Sequence, residues 1–312
     1  MCKGFNILTW EFVVSGLVKW FFLFVVIPFC FAEASSIYIP ENYFPKTAKV
    51  VVVIHGCLQS AESMSLGTGF NKVADQKNLV IIYPQVKTNS NYFDCWNWFL
   101  QKNQLKNSGQ LNQIHKKIES ILENLSLTKA PRFVVGMSSG GASAAGLIAC
   151  FPDSFQGAAL VSSPSYGSAR NPYELEKVLK NGPSVSHVTK EACSTKSYSG
   201  KLLVAHGKAD PVVNYKHALR SIKQFLPKKL NEQIDNKFVN ERETSITHYS
   251  HSTKVKGLFV LIDNFEHAWP GYRDNIRKAN FVGPLAKTPT TVPFFDLYGP
   301  NITKMIVSFF DL

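Results

Sequence analysis

The chain is poor in acidic side chains: 22 Asp and Glu stand against 34 Lys and Arg, a formal charge of +12 over 312 residues. Such an imbalance can serve nucleic acid, anionic lipid or an acidic polymer. Yet there is no run of five or six like charges, and the lysines (Lys46, Lys87, Lys106, Lys116, Lys177, Lys228, Lys254) are scattered, often beside Asn, Ser and Gln. That is the pattern of a solvated basic surface. With no nucleic-acid motif beside it, no nucleic-acid partner is expected. CxxC and paired-histidine spacings are also missing, so the common zinc sites are excluded and no metal or cofactor is required. No repeat and no low-complexity linker divides the chain.

Long apolar runs are scarce too. WFFLFVVIPFCFA at 20–32 has 13 residues, short for a membrane span and the length of a signal-peptide core. Lys19 precedes it, AEASS follows it, and Ala32-Glu33-Ala34 fits a small-x-small cleavage site. Residues 1–34 therefore read as a signal peptide and 35–312 as a single catalytic domain, secreted or periplasmic. An uncleaved anchor is the competing reading, because ILTWEFVVSGLV before Lys19 is long and partly apolar. Cleavage would leave no stable membrane association. It would also leave four cysteines, Cys57, Cys95, Cys150 and Cys193, which allow three pairings. In an exported chain an even set favours disulfides over metal.

Hydrophobic content of 45% and charged content of 18% describe a globular protein. Apolar, Val- and Ile-rich runs recur at 49–55, 79–84, 132–137, 157–163, 201–206 and 257–262. Such runs suit strands covered on both faces. Helical patterns lie between them, clearest at 111–125, where Leu111, Ile114, Ile118, Ile121, Leu122 and Leu125 form one stripe. Others fall at 141–151, 215–226 and 302–310. The alternation predicts an α/β fold, a mostly parallel, doubly wound sheet with helices on both faces. The polar stretch 228–254 reads as an excursion from the core.

Against this frame, FVVGMSSGGASA at 133–144 holds three serines. Only Ser138 is the centre of G-x-S-x-G, placed after a strand and before a small-residue helix, as a nucleophile elbow requires. Ser139 would supply a backbone N–H to a developing oxyanion, while Ser143 should pack internally. The matching acid and base should follow in the order Asp, His. Asp210 lies after the strand at 201–206, and His267 after the strand at 257–262, both at the C-terminal edge where Ser138 sits. There His267 could take the Ser138 proton while Asp210 fixes its other nitrogen. Asp263 is a rival acid. Of the other histidines, His115 sits in a helix, and His187, His217, His248 and His251 lie in polar surroundings. His55 and His206 precede glycines at strand ends and look structural. The loop His55-Gly56-Cys57 follows an early strand, and the Cys57 N–H is the natural second oxyanion donor.

These residues carry a resemblance. HGCLQSAESM (55–64), GTGFNKVADQKNLVIIYPQ (67–85), CWNWF (95–99), GMSSGGASA (136–144), HGKADPVVN (206–214) and HAWPG (267–271) resemble the esterase/poly(3-hydroxybutyrate) depolymerase family of α/β-hydrolases. The likeness runs from about Val50 to the C-terminus and is firmest up to Gly167 and around Asp210 and His267. It implies a Ser138, Asp210, His267 triad, an oxyanion loop at Cys57, and a Cys57–Cys95 bond. Cys150 and Cys193 are then left over, as a second pair or as buried thiols. Trp96, Trp98 and Trp269 are core or rim by default, with one or two of them candidates to contact the acyl chain, Trp269 foremost.

Three departures bear on substrate. Tyr272 replaces the last glycine of HAWPGG, and the helix before the elbow lacks the acidic pattern expected there. Only 45 residues follow His267, with no threonine-rich linker and no added polymer-binding domain. The expectation is an exported serine esterase acting on short-chain hydroxyalkanoate polyesters, their oligomers or small esters, with amorphous or soluble substrate favoured over crystalline polymer. The alternatives are a carbohydrate esterase of feruloyl or acetyl type and a non-catalytic binding protein on the same fold.

Overall fold

Strands made of Val and Ile without polar interruption have no face to offer water, and here they form the middle of one nine-stranded sheet. The computed structural model describes residues 35–87, 90–183, 192–271 and 294–312; the segment 1–34, expected from sequence to be a signal peptide, His187 and Tyr272 lie outside the described residues. The strands are β1 (Ser36–Tyr38), β2 (Lys49–Ile54), β3 (Leu79–Tyr83), β4 (Arg132–Met137), β5 (Gly157–Val161), β6 (Lys201–Gly207), β7 (Asn231–Val239), β8 (Arg242–His251) and β9 (Lys254–Ile262). Their order across the sheet is β1-β3-β2-β4-β5-β6-β9-β8-β7. The six strands expected from the sequence are the parallel ones, and β1, β7 and β8 run antiparallel at the margins.

Helices cover both faces. On one side α3 (Gly109–Asn124), α4 (Ser139–Cys150) and α6 (Lys216–Phe225) pack on Val50, Val52, Ile54, Val134 and Leu202. On the other, α1 (Ala61–Gly67), α2 (Phe70–Lys77) and α7 (Ile302–Phe310) pack on Val51, Val53, Val135 and Leu203. Another short helix, α5 (Leu175–Asn181), lies outside these two cores and buries only Val178. In β2, Val50 through Ile54 are all wholly buried. At roughly 2 kcal/mol per side chain, that strand alone gains on the order of 10 kcal/mol before chain entropy is counted. All of α4 is buried, as its small residues permit.

The stretch 228–254 is not an excursion. It forms β7 and β8, a hairpin that lengthens the same sheet beyond β9, turning at Asn240 and Glu241 with φ of 44° and 65°. Two positive φ values are the backbone of a tight hairpin turn. The strand signal is faint because β7 is exposed along most of its length, so polar residues are tolerated there.

The topology also fixes where a site can form. From β2 the chain steps outward to β3 and then returns to β4 on the opposite side of β2. Loops leaving the C-terminal ends of β2 and β4 therefore diverge and open a crevice.

Candidate active site

Ser138 sits between β4 and α4 with φ 53° and ψ −123°, a conformation a side chain adopts only under constraint. Strain of this kind is on the order of 1–3 kcal/mol. It is held by two backbone bonds, Ser138 N–H to the Val161 carbonyl at 2.9 Å and Ala142 N–H to the Ser138 carbonyl at 3.0 Å. Two glycines make the turn possible. A Cβ on Gly136 would stand 2.3 Å from the Gly140 carbonyl oxygen, and one on Gly140 would stand 2.3 Å from that of His55. Ser139 opens α4, so its N–H is among those an α-helix leaves without an internal acceptor, at the positive end of the dipole. Ser143 donates its hydroxyl to the Ser139 carbonyl at 3.1 Å and is buried, as the sequence predicts.

The loop after β2 lies against this elbow: a Cβ on Gly56 would come within 3.1 Å of the Ser138 Cβ. The loop is fastened from several sides. Gly56 N–H donates to Gln59 Oε1 at 2.8 Å, Leu58 N–H to the Phe93 carbonyl at 2.9 Å, and Gln59 N–H to the Gly56 carbonyl at 3.4 Å. The Cys57 N–H between them has no acceptor among the described residues. The His55 ring accepts Val86 N–H on Nε2 at 3.2 Å, so its Nδ1–H donates to the Gly56 carbonyl at 2.8 Å. Burial lowers the pKa of this histidine from 6.5 to about 4, which keeps that tautomer neutral. Trp96 Nε1–H donates to the His55 carbonyl at 3.0 Å. A disulfide joins Cys57 to Cys95 across 38 residues. Gln59 was legible as part of HGCLQ but not as the group that occupies the Gly56 N–H.

Asp210 and His267 meet at the C-terminal ends of β6 and β9. His267 Nδ1 lies 2.8 Å from Asp210 Oδ2, and Asp210 Oδ1 accepts the N–H groups of Val212 at 2.9 Å and Val213 at 2.8 Å. Burial would raise the Asp210 carboxyl, but hydrogen bonds from His206 and His267 outweigh it and hold the group well below the usual carboxylate range. An ionised carboxylate can only accept, so Nδ1 of His267 carries the proton and Nε2 is left as a base. His267 is nearly buried, and the Phe294 ring meets it edge-on at 6.0 Å. The rival Asp263 is partly exposed and paired with Lys208 at 3.1 Å. His206, which looks structural from sequence, proves to be a neighbour of Asp210, its Nε2 3.3 Å from Oδ2. Its place four residues before Asp210 in HGKAD was the available signal. His217 is also unlike its sequence reading, being wholly buried on α6.

The three tryptophans are buried to different degrees. Trp269 has no accessible surface; its ring packs edge-on against Phe70 at 6.3 Å and its Nε1–H donates to Thr303 Oγ1 at 3.2 Å. It anchors the His267 loop to α7 and is not brought to the site surface. Trp96 supports the loop at His55. Trp98 is 8% exposed and lies in a small cluster with Phe99, Ala169 and Ala142, one turn beyond Ser138. The second disulfide, Cys150–Cys193, lies at the far end of α4 beside Tyr166, whose hydroxyl donates to the Gln104 carbonyl at 2.5 Å and accepts Cys193 N–H at 3.1 Å. Among the described residues no group of three or more His, Cys, Asp or Glu is placed to hold a metal ion.

Known proteins are similar to this chain in sequence and in fold. Poly(3-hydroxyalkanoate) depolymerase C of Paucimonas lemoignei is 25% identical over 187 residues, 58% of this chain and 45% of the relative. Poly(3-hydroxybutyrate) depolymerase of Delftia acidovorans is 28% identical over 173 residues, 52% of this chain and 34% of the relative. The chain thus spans less than half the length of these two relatives. Feruloyl esterase B of Thermothelomyces thermophilus is 25% identical over 203 residues, 61% of this chain and 68% of the relative. The structure of the acetyl xylan esterase from Aspergillus awamori superposes with a TM-score of 0.58 at 18% identity, covering 74% of this chain and 87% of that one, and shares the α/β-hydrolase fold. The sequence profile described as esterase PHB depolymerase matches residues 34–246, more than half of the chain, including Ser138 and Asp210. The chain belongs to the esterase PHB depolymerase family, on an α/β-hydrolase fold.

Proposed function

We propose that the chain is a serine ester hydrolase whose substrates are short-chain hydroxyalkanoate polyesters or their oligomers. Ser138 Oγ attacks the ester carbonyl while His267 Nε2 takes its proton, and Asp210 holds the imidazolium that forms. The N–H groups of Cys57 and Ser139 receive the oxyanion. His267 then protonates the leaving alcohol, and water repeats the sequence on the acyl-enzyme to release the acid. The observation that carries this reading is the C-terminal edge of the sheet, where the strained Ser138 after β4 abuts Gly56 after β2 and a carboxylate-held imidazole follows β6 and β9.

The polyester rests on the depolymerases among the relatives. A second reading, an esterase of feruloyl or acetyl groups on polysaccharides, is favoured by the fold match to an acetyl xylan esterase and by the fuller coverage of feruloyl esterase B. Two disulfides support export to an oxidising compartment, with 1–34 as the leader and 35–312 as one catalytic domain. No helix among the described residues is long and apolar enough to cross a membrane.

The test is product release from amorphous poly(3-hydroxybutyrate), from its soluble trimer, from acetylated xylan and from methyl ferulate, by wild type and Ser138→Ala. Release of 3-hydroxybutyrate that Ser138→Ala abolishes supports the polyester. Release only of acetate or ferulate moves the enzyme to polysaccharide esters. Hydrolysis that survives Ser138→Ala refutes the mechanism.

A further inference from the structure

We propose that His206 is a positioning residue for the acid–base pair, its single ring N–H shared between Asp210 and the backbone that shapes the Asp210 loop. This rests on the esterase reading above. His206 ends β6 almost without exposure, its Nε2 2.7 Å from the Val213 carbonyl oxygen and 3.3 Å from Asp210 Oδ2. A carbonyl can only accept, so the proton is on Nε2. Nδ1 is buried with no partner among the described residues, which leaves the neutral Nε2–H tautomer.

The arrangement closes a small ring of bonds. Asp210 Oδ1 takes the N–H groups of Val212 and Val213, while His206 takes the Val213 carbonyl and reaches Oδ2. The carboxylate is therefore gripped on both oxygens, and its rotation about the terminal torsion, ordinarily soft, is stopped. Oδ2 has two ring donors, His206 and His267. Charge drawn toward His206 is charge not available to an imidazolium at His267. The neighbours leave this role to His206 alone. His217 of α6 is neutral, burial lowering its pKa to about 4, and its ring is engaged by the Val178 carbonyl at 2.9 Å and Ser165 N–H at 3.1 Å. β5 carries no titratable side chain. On β9 the residue opposite His206 is Leu261, and Asp263 beyond it pairs with Lys208.

The experiment compares wild type, His206→Phe and His206→Gln on p-nitrophenyl acetate, with kcat and KM measured from about pH 5 to about pH 9. Loss of the donor in His206→Phe lowers kcat about tenfold with KM little changed, the strength of one hydrogen bond to a charged group. It also moves the acid limb of kcat/KM upward by about half a pH unit, because the carboxylate then holds the His267 proton more tightly. His206→Gln, whose amide N–H can stand where Nε2 stood, restores both. A folded His206→Phe with the wild-type limb and kcat overturns the proposal, and so does a Gln variant that behaves like Phe. If His206→Phe does not fold, His206→Asn replaces it: its amide is too short to reach Oδ2, and equal limbs for Asn and Gln overturn the proposal. A wild type with no ester hydrolysis sinks the esterase reading and this inference together. An active wild type with unmoved variants sinks the inference alone.

Discussion

The two disulfides make a matched pair for separating stability from chemistry. They close loops of similar length, with sequence separations of 38 and 43. Loop-closure entropy gives about 4 kcal/mol for each. For a chain of this size that corresponds to a melting temperature lower by about 6 °C. Cys57→Ser with Cys95→Ser and Cys150→Ser with Cys193→Ser should thus soften the fold about equally. Their effects on turnover should differ. Cys57 follows Gly56, which abuts Ser138, and in the proposed mechanism would offer the oxyanion its N–H, whereas Cys150–Cys193 lies at the far end of α4. Removing an oxyanion donor outright lowers kcat by about 10²–10³. Here Trp96, Gln59 and the His55 ring still hold the loop, so the expected loss is smaller, about tenfold. The second pair should keep kcat within about twofold, as expected for a site without shared partners. The assay is kcat on p-nitrophenyl acetate well below both melting transitions, alongside thermal melts. Equal kcat in the two variants, or an unaffected first pair, would refute the idea that the bond holds a catalytic loop.

Other outcomes follow from single side chains. Trp96→Phe removes one buried hydrogen bond to His55 and should lower kcat about fivefold at unchanged KM, as read by steady-state kinetics. Trp269→Phe should lower the melting temperature and leave KM alone, since the ring touches core and not substrate. Asp210→Asn should lower kcat by about 10⁴, because His267, the proposed base, then loses its oriented tautomer. His55 and His217 are neutral and buried, with pKa lowered from 6.5 to about 4 in the fold. The unfolded chain therefore binds more protons between those values, so stability is full above about pH 6.5 and falls as pH drops toward 4. Urea unfolding at a series of pH values checks this, and a flat profile contradicts it.

Much of this was legible because the central strands are buried on both faces. Val50 to Ile54 or Phe133 to Met137 leave no choice of register or environment, and the glycines around Ser138 mark a turn that only a small-residue elbow makes. The margins were illegible for the opposite reason. β7 reads as NEQIDNKFV because water satisfies its outer face, and three-residue β1 is too short to show a period. Trp269 was misplaced because nearness in sequence to His267 says nothing about which way a loop folds; its partner Thr303 comes from a helix 34 residues on. His206 was passed over because a histidine before a glycine at a strand end has no periodic signature, and only the return of the Asp210 loop over it reveals the contact.

The outermost strand has a consequence for the protein in concentrated solution. Among the described residues no strand pairs with the outer side of β7, and on it Ile234 and Phe238 are 59% and 74% exposed. That is a template onto which a further strand could add. Opposing it are Glu232, Asp235 and Lys237, with Asp235 facing His248 at 3.4 Å. At this margin charged side chains oppose the addition of a strand, whereas at the other margin β1 has only three residues. Replacing Asp235 and Lys237 by valine would leave the fold and the crevice as they are. It would make each molecule adhesive toward the next, and turbidity rising with concentration would be the first sign.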